Sequence, residues 1–170
     1  LYQEDLRNIL KTNGVDSLEG KSILITGATG LIGTQLVDAL MLHSNIKIYA
    51  VGRSVDKAKL RFGEYFSNPY FHFIEQQVTE PFKNDVNVDY IIPMASTTHP
   101  LAYSKYPVET MFVNLKGAEH ALNLAKRCNA RVVYPSSNEI YGSARGNDKF
   151  TEDYTGNLNL ATSRACYTES

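Results

Sequence analysis

The sequence has few of the residues that mark a disulfide-bonded or metal-binding protein. It contains only two cysteines, Cys128 and Cys166, and their spacing fits neither a disulfide framework nor a zinc site. Both are predicted to be free thiols in a reducing compartment, which predicts a cytoplasmic protein. The histidines also stand at no ligand spacing, so we expect no bound metal; they are His43, His72, His99 and His120.

The sequence also lacks an excess of charge of one sign, and it lacks long apolar runs. The formal net charge is -1, which gives no electrostatic reason to bind nucleic acid or an anionic membrane. No stretch approaches the length of a membrane span, and the polar, acidic N-terminal residues are unlike a secretory signal. With 43% hydrophobic residues among 170, the composition predicts one soluble globular domain.

Short β-rich runs alternate with longer helical patterns, which is typical of a parallel sheet with helices on its faces. Apolar runs predict five strands, over 22–25, 46–51, 71–74, 89–92 and 131–134. Apolar residues at helical spacing predict two helices, over 31–42 and 110–127. These residues are Ile32, Leu36, Ala39 and Leu40 in the first helix, and Phe112, Leu115, Leu122 and Ala125 in the second. An amphipathic segment with Leu6, Ile9 and Leu10 comes first.

Three glycines, Gly27, Gly30 and Gly33, follow the first predicted strand and open the first predicted helix. In this position the first permits a tight turn, the second lets backbone N–H groups approach a pyrophosphate, and the third lets the helix pack closely. The pyrophosphate would rest on the helix N-terminus, where unpaired N–H groups favour an anion. The alternative is a turn whose glycines serve packing alone. The β-strand that follows favours the dinucleotide site.

The stretch TGATGLIG, residues 26–33, resembles the TGxxGxxG cofactor motif of the extended short-chain dehydrogenase/reductases. Later segments agree in the expected order. They are Ala95-Ser96, the pattern formed by Pro100, Tyr103, Pro107, Thr110, Asn114 and Gly117, the run SSNEIYG from Ser136, and the run SRACYTES from Ser163. The last run is most similar to the UDP-glucuronate decarboxylases of the epimerase/dehydratase group. The resemblance implies a Rossmann-type, doubly wound parallel sheet with helices on both faces.

The resemblance also implies a catalytic set. To oxidise a sugar hydroxyl, a base must take its proton, and a phenol does so only if its pKa is lowered from about 10. By this resemblance Tyr167 is the base and Ser137 would orient the same sugar oxygen. Asn114 would support the helix that carries the catalytic tyrosine and lysine of the family. Glu139 and Asn138 stand where the 4,6-dehydratases of the family have a glutamate and an aspartate. Asn138 has no proton to give, which favours decarboxylation or epimerisation over dehydration.

The identity of the cofactor, NAD or NADP, stays open at this point. The acidic residue that normally holds the adenosine ribose of NAD is replaced by Gly52, and Arg53 and Ser54 follow. Arg53 suits a 2′-phosphate, or it could stack on adenine. Gln77 stands where the family usually has an aspartate. The predicted cofactor-binding residues are Gly27, Ala28, Thr29, Gly30, Leu31, Ile32, Gly33, Arg53, Ser54, Gln77, Val78, Ala95 and Ser96.

Two readings of function follow. The first is an NAD(P)-dependent enzyme that remodels a nucleotide sugar, most simply a UDP-sugar, through a 4-keto intermediate, with homodimers expected for the full-length protein. The second is a non-catalytic NAD(P)-binding regulatory protein. The lysine that the family places four residues after its tyrosine would stand at position 171. We therefore expect residues 1–20 to be an N-terminal helical extension, 21–170 to be the cofactor-binding domain, and a substrate domain to follow.

Overall fold

The computed structural model describes residues 2–11, 14–43, 45–83, 85–142, 149–154, 156 and 158–170. Within these residues the chain forms six α-helices and five β-strands. The helices are α1 (Tyr2–Leu10), α2 (Leu31–Met41), α3 (Val55–Phe62), α4 (Pro100–Lys105), α5 (Pro107–Cys128) and α6 (Ala165–Thr168). The strands are β1 (Ser22–Thr26), β2 (Lys47–Gly52), β3 (Phe71–Glu75), β4 (Tyr90–Pro93) and β5 (Arg131–Val132).

The five strands form one parallel sheet in the order β3-β2-β1-β4-β5. The central strand is β1, in which Ile23 lies opposite Ile48 of β2 on one side and opposite Tyr90 of β4 on the other. Crossover connections are right-handed, so the helices after β1 and β2 cover one face and the helix after β4 covers the other. The strand order reverses between β1 and β4, and ligands of open α/β sheets bind at such a point.

Alternate side chains of β1 enter two separate cores, one on each face of the sheet. Ile23 and Ile25 join Phe62 and its neighbours from α2 and α3, whereas Leu24 joins Leu124 and its neighbours from α5. All five side chains are at most 2% exposed. Each such burial contributes about 1.5–3 kcal/mol. The predicted fold class, a doubly wound parallel sheet with helices on both faces, is confirmed.

The last strand is shorter than the sequence predicts. It ends at Val132, and Val133 and Tyr134 are 51% and 52% exposed. Two features of the sheet explain this difference. The neighbouring strand β4 ends at Pro93, which has no N–H to extend the ladder, and no other strand of the described residues pairs with β5. The four other strands agree with the predicted runs to within one residue.

The two predicted helices form, but the apolar residues that identified them do not all face the sheet. Ile32 of α2 is 69% exposed. In α5, Phe112, Leu115 and Leu122 are 48–58% exposed. The residues of α5 that are buried are mostly smaller: Thr110, Gly117, Ala121, Leu124 and Ala125. Small residues let the helix approach the strands closely. In the sequence, the face of α5 that packs on the sheet is therefore less hydrophobic than the exposed face.

The N-terminal helix α1 packs on α2. Its Leu6 is only 3% exposed, whereas Ile9 is 45% exposed, and the side chain of Leu10 lies outside the described part of the structure. The hydroxyl of Tyr2 donates a hydrogen bond to Asp38 of α2. Burial and then this bond raise the pKa of Tyr2 to about 12. Among the described residues, no helix has both the length and the apolar character needed to cross a bilayer.

Candidate cofactor and active site

A tight turn connects β1 to α2 and contains the three glycines. Gly27 has a φ of 66°, in the left-handed region that favours glycine. The N–H of Gly30 donates to the carbonyl of Gly27 at 2.9 Å, and Gly30 then forms the N-cap of α2. The structure therefore has the strand, the glycine turn and the helix in the order that the sequence predicts.

The first and third glycines lie where a side chain has no room. A Cβ at Gly27 would lie 3.0 Å from backbone atoms of Met94 and Ala95. A Cβ at Gly33 would meet the carbonyl oxygen of Gly27 and would lie 2.8 Å from the Cα of Ala28. All of these neighbours are backbone atoms, which cannot swing aside as a side chain can. The turn is therefore closely packed between the start of α2 and the end of β4.

The N-terminus of α2, a helix described throughout, is open to an anion. No side chain caps it, and its first turn contains no acidic residue. The N–H groups of Leu31, Ile32 and Gly33 belong to the first turn, where an α-helix provides no carbonyl partner. The side chains of Leu31 and Ile32 are 76% and 69% exposed, so the surface at this point is not covered by the core. Unpaired N–H groups and the helix dipole suit the pyrophosphate of a dinucleotide.

On the other side of the glycine turn lie Ala95 and Ser96, which follow β4. The N–H of Ala95 donates to Thr26 Oγ1 at 3.0 Å, which ties the end of β4 to the end of β1. Ser96 Oγ donates to Asn114 Oδ1 at 2.7 Å, and Asn114 Nδ2 donates to Ser170 Oγ at 2.8 Å. Asn114 thus links the end of β4 to the segment that carries Tyr167.

The remaining predicted cofactor residues follow β2 and β3. Arg53 is exposed, and Ser54 caps α3 by accepting the N–H of Lys57 at 3.2 Å. Gln77 is exposed, whereas Val78 is buried against α5. The four predicted residues lie after the carboxyl ends of parallel strands, at the same edge of the sheet as the glycine turn. The structure therefore gathers the predicted cofactor residues along one edge.

The predicted catalytic residues Ser137, Asn138 and Glu139 follow β5 in a short turn. Ser137 Oγ accepts the N–H of Glu139 at 3.3 Å, and Asn138 is exposed. Glu139 forms a two-pronged ion pair with Arg164, in which Nε donates to Oε2 at 2.9 Å and a second guanidinium nitrogen donates to Oε1. This ion pair holds the turn after β5 against the segment that leads into Tyr167.

The ring of Tyr167 stacks on the ring of Tyr103, with centroids 5.2 Å apart and planes at 23°. Tyr103 belongs to α4 and is 5% exposed. Burial, and then the nearby Tyr167, raises the pKa of Tyr103. A buried aromatic partner therefore fixes the ring of Tyr167 from one side.

The electrostatics of this cluster are dominated by Arg164. Its hydrogen bond to Glu139 lowers the pKa of that carboxyl group, which is therefore ionised at neutral pH. Sequence reasoning gave no role to Arg164 or to Tyr103. No local pattern could have identified the pair of Arg164 and Glu139, because the two residues are 25 positions apart in the sequence. In the described part of the chain, no three His, Cys, Asp or Glu side chains are grouped as metal ligands.

Comparison with known proteins identifies relatives of this chain. It is 36% identical over 147 residues to UDP-glucuronic acid decarboxylase 6 of Arabidopsis thaliana, an alignment that covers 86% of this chain and 42% of the relative. The chain therefore spans less than half the length of this curated relative.

Two solved structures share the fold. PbgP3 protein from Burkholderia pseudomallei superposes with a TM-score of 0.72 at 21% identity, over 89% of this chain and 46% of that one. A UDP-glucuronic acid 4-epimerase from Bacillus cereus, solved with UDP-4-deoxy-4-fluoro-glucuronic acid and NAD, gives 0.67 at 20% identity, over 78% and 44%. The sequence model of one family matches residues 23–170. The chain thus belongs to the NAD dependent epimerase/dehydratase family.

Proposed function

We propose that this chain is the cofactor-binding portion of an NAD(P)-dependent enzyme that modifies a nucleotide sugar, as a decarboxylase or an epimerase acting through a 4-keto sugar. The observation that carries the proposal is the closely packed glycine turn beneath the uncapped N-terminus of α2. The relative from Arabidopsis thaliana is a UDP-glucuronic acid decarboxylase, which supports a UDP-sugar as the substrate.

The dinucleotide would lie along the edge formed by the carboxyl ends of the strands. Its pyrophosphate would contact the N–H groups of residues 27–33, in a turn too tight for a side chain at Gly27 or Gly33. Ala95 and Ser96, which follow β4, would face the part of the cofactor that lies beyond the point where the strand order reverses, between β1 and β4. Val78, with Gln77 beside it, would line the adenine end.

Tyr167, Ser137 and Asn114 would act on the sugar. When bound, the nicotinamide supplies a hydride acceptor for the carbon that carries the hydroxyl. Tyr167 takes the hydroxyl proton, and Ser137 donates a hydrogen bond that orients the same oxygen. Asn114 does not touch the sugar but holds Ser96 and Ser170 in place, so it acts as a positioning residue.

The choice between the possible reactions depends on Asn138 and Glu139. Dehydration requires an acid for the departing hydroxyl, and the amide of Asn138 cannot serve as one. Glu139 is ionised and engaged by Arg164, which weakens the case for it as a free base. Decarboxylation needs neither group, because the 4-ketone accepts the electrons that carbon dioxide leaves behind, and epimerisation needs only a sugar that can rotate. We therefore place decarboxylase and epimerase ahead of dehydratase.

The decisive experiment incubates the full-length protein with UDP-glucuronate, UDP-glucose and dTDP-glucose and measures the products by mass spectrometry. Loss of about 44 mass units, one carbon dioxide, supports decarboxylation, and unchanged mass with altered stereochemistry supports epimerisation. Loss of water as the main product would overturn this order of preference. Binding of a dinucleotide without turnover of any sugar would favour the regulatory alternative.

A matched pair of variants tests the role of Tyr167. Tyr167→Phe removes only the hydroxyl and keeps the ring stacked on Tyr103. We expect it to bind the dinucleotide as the wild type does while turnover falls by at least about a hundredfold. Tyr134→Phe removes the hydroxyl of a half-exposed tyrosine near β5 and should leave both quantities unchanged. Equal turnover by Tyr167→Phe and the wild type would remove this tyrosine from the mechanism.

We further propose that the full-length protein is a homodimer and works in the cytoplasm. The outer side of α5 supports the first point, because Val108, Phe112, Leu115 and Leu122 are all 48–58% exposed and share one stripe of the helix. Leu115→Lys should convert dimers to monomers in light scattering, whereas Lys116→Gln beside the stripe should not. The free thiols Cys128 and Cys166 support a reducing compartment.

A further inference from the structure

The end of β2 carries a glycine in place of the acidic residue that usually recognises NAD. That residue binds the hydroxyls of the adenosine ribose. Here the position is Gly52, which is buried, and a Cβ on it would lie 3.2 Å from two atoms of the Phe73 ring and 3.6 Å from Thr29 Cγ2. An aspartate would need the edge of this ring to shift by a few tenths of an ångström, and the glycine that stands here offers no carboxylate to the ribose hydroxyls.

The next residue, Arg53, is an exposed cation without a protein partner. Within the described residues, its guanidinium takes part in no hydrogen bond and no ion pair. Two other arginines are engaged: Arg127 donates to the carbonyl of Lys83 at 2.9 Å, and Arg164 pairs with Glu139. Thr29 of the glycine turn packs near Gly52, so Arg53 stands beside the turn that would hold the pyrophosphate.

At the start of α3, the hydroxyl of Ser54 is a second polar group beside Arg53, and the nearby carboxylate of Glu75 already has a partner. Ser54 Oγ accepts the N–H of Lys57, which leaves the proton of the Ser54 hydroxyl available for donation. The carboxylate of Glu75 accepts the N–H of Val55 at 2.9 Å. Glu75 is thereby engaged at the helix terminus, and an anion near this turn would rely on Arg53 and the Ser54 hydroxyl.

We propose that Arg53, together with the Ser54 hydroxyl, binds the 2′-phosphate of NADP, and that this chain prefers NADP to NAD. A guanidinium offers several donors in a planar fork that matches phosphate oxygens, and ribose hydroxyls alone give it no comparable partner. The inference rests on the proposed function, because it requires a dinucleotide over the glycine turn. It adds the identity of that dinucleotide.

The test measures binding rather than turnover. The purified protein is titrated with NADP and with NAD in a calorimeter, and with NADPH and NADH by fluorescence. We expect NADP to bind at least about tenfold more tightly than NAD. In Arg53→Gln, affinity for NADP should fall by about ten- to a hundredfold and affinity for NAD should stay within about twofold. As a further probe, 2′,5′-ADP should displace NADPH from the wild type better than 5′-ADP does.

Lys59→Gln is the matched control, because it removes an exposed cation from the helix α3 that follows Arg53, and it should change neither affinity. Because the Arg53 side chain makes no hydrogen bond and no ion pair with the part of the chain that the structure describes, Arg53→Gln should keep the wild-type melting temperature.

Three results would overturn the proposal. Equal or tighter binding of NAD by the wild type would do so while leaving the dinucleotide site intact. Equal weakening of NAD and NADP by Arg53→Gln would instead assign Arg53 to stacking on adenine. Binding of neither dinucleotide by the wild type would remove the cofactor site itself, and the proposed function would fail with it.

Discussion

The substitution Gly33→Ala tests whether the glycine turn is as closely packed as the structure shows. In an ordinary helix, replacing glycine by alanine stabilises the fold, by up to about 1 kcal/mol. Here the new methyl group would meet the carbonyl oxygen of Gly27 and would lie 2.8 and 2.9 Å from the Cα and the carbonyl oxygen of Ala28. Because these are backbone atoms, the start of α2 must move away from the turn.

The size of the effect follows from the number and kind of these contacts. One methyl group forced into a well-packed site costs about 1–3 kcal/mol, and contacts with rigid backbone place this case at the upper end. For a domain of this size, about 3 kcal/mol lowers the melting temperature by about 6–12 °C. The displaced helix N-terminus should also weaken dinucleotide binding, because its N–H groups no longer converge on the pyrophosphate.

Thermal unfolding followed by circular dichroism measures the first effect, and calorimetric titration with NAD and NADP measures the second. Gly63→Ala is the control, because Gly63 has helical backbone angles and an added Cβ there meets nothing within 4 Å. We expect it to be as stable as the wild type or slightly more stable. The reasoning is refuted if Gly33→Ala melts at or above the wild-type temperature.

Three further variants test other parts of the molecule. Thr26→Val leaves the N–H of Ala95 without its acceptor in a buried setting, so chemical denaturation should show a loss of about 1–2 kcal/mol, which Thr26→Ser restores. The pKa of Asp89 is lowered, chiefly by hydrogen bonds from Ser22 at the start of β1. The ionised Asp89 therefore stabilises the folded state above about pH 4, and this stabilisation is lost as the pH falls through the lowered pKa. Asp89→Asn should therefore lower the free energy of unfolding by about 1 kcal/mol at pH 7, a small value because solvent screens this partly exposed carboxylate, and by almost nothing at pH 2. Arg164→Gln should let the pKa of Glu139 rise toward its ordinary value, as a carboxyl titration by nuclear magnetic resonance would detect, and an unchanged midpoint would argue against the ion pair.

The strands and the glycine turn could be predicted from the sequence because their signals are local. Buried parallel strands are apolar on both faces, so runs such as Ile23 to Ile25 stand out without knowledge of their partners. The side of α5 that faces the sheet could not be predicted in the same way. Because α5 lies close to the strands, its buried face contains small residues such as Gly117 and Ala121. These residues are less hydrophobic than the exposed Phe112, so the sequence pattern pointed to the wrong face.

Contacts between distant segments account for most of what sequence reasoning left out of the candidate site. Glu139 and Arg164 are 25 positions apart, and their ion pair exists only because the turn after β5 and the segment before α6 meet in space. The same holds for the stack of Tyr103 on Tyr167. The family resemblance pointed to Tyr103 and Tyr167 as members of motifs, but it did not reveal that one ring supports the other.

The central position of β1 has a consequence for the order in which the chain folds. Its pairing with β2 needs only the next helix to form, whereas its contact with the start of β4 joins Ser22 to Asp89, 67 positions away. Closing a longer loop costs more conformational entropy, so contacts between near neighbours in the chain are favoured early. We expect β1, α2 and β2 to form the folding nucleus, with β4 and α5 docking afterwards. The candidate cofactor site at the ends of β1 and β4 would then be among the last parts of the molecule to form.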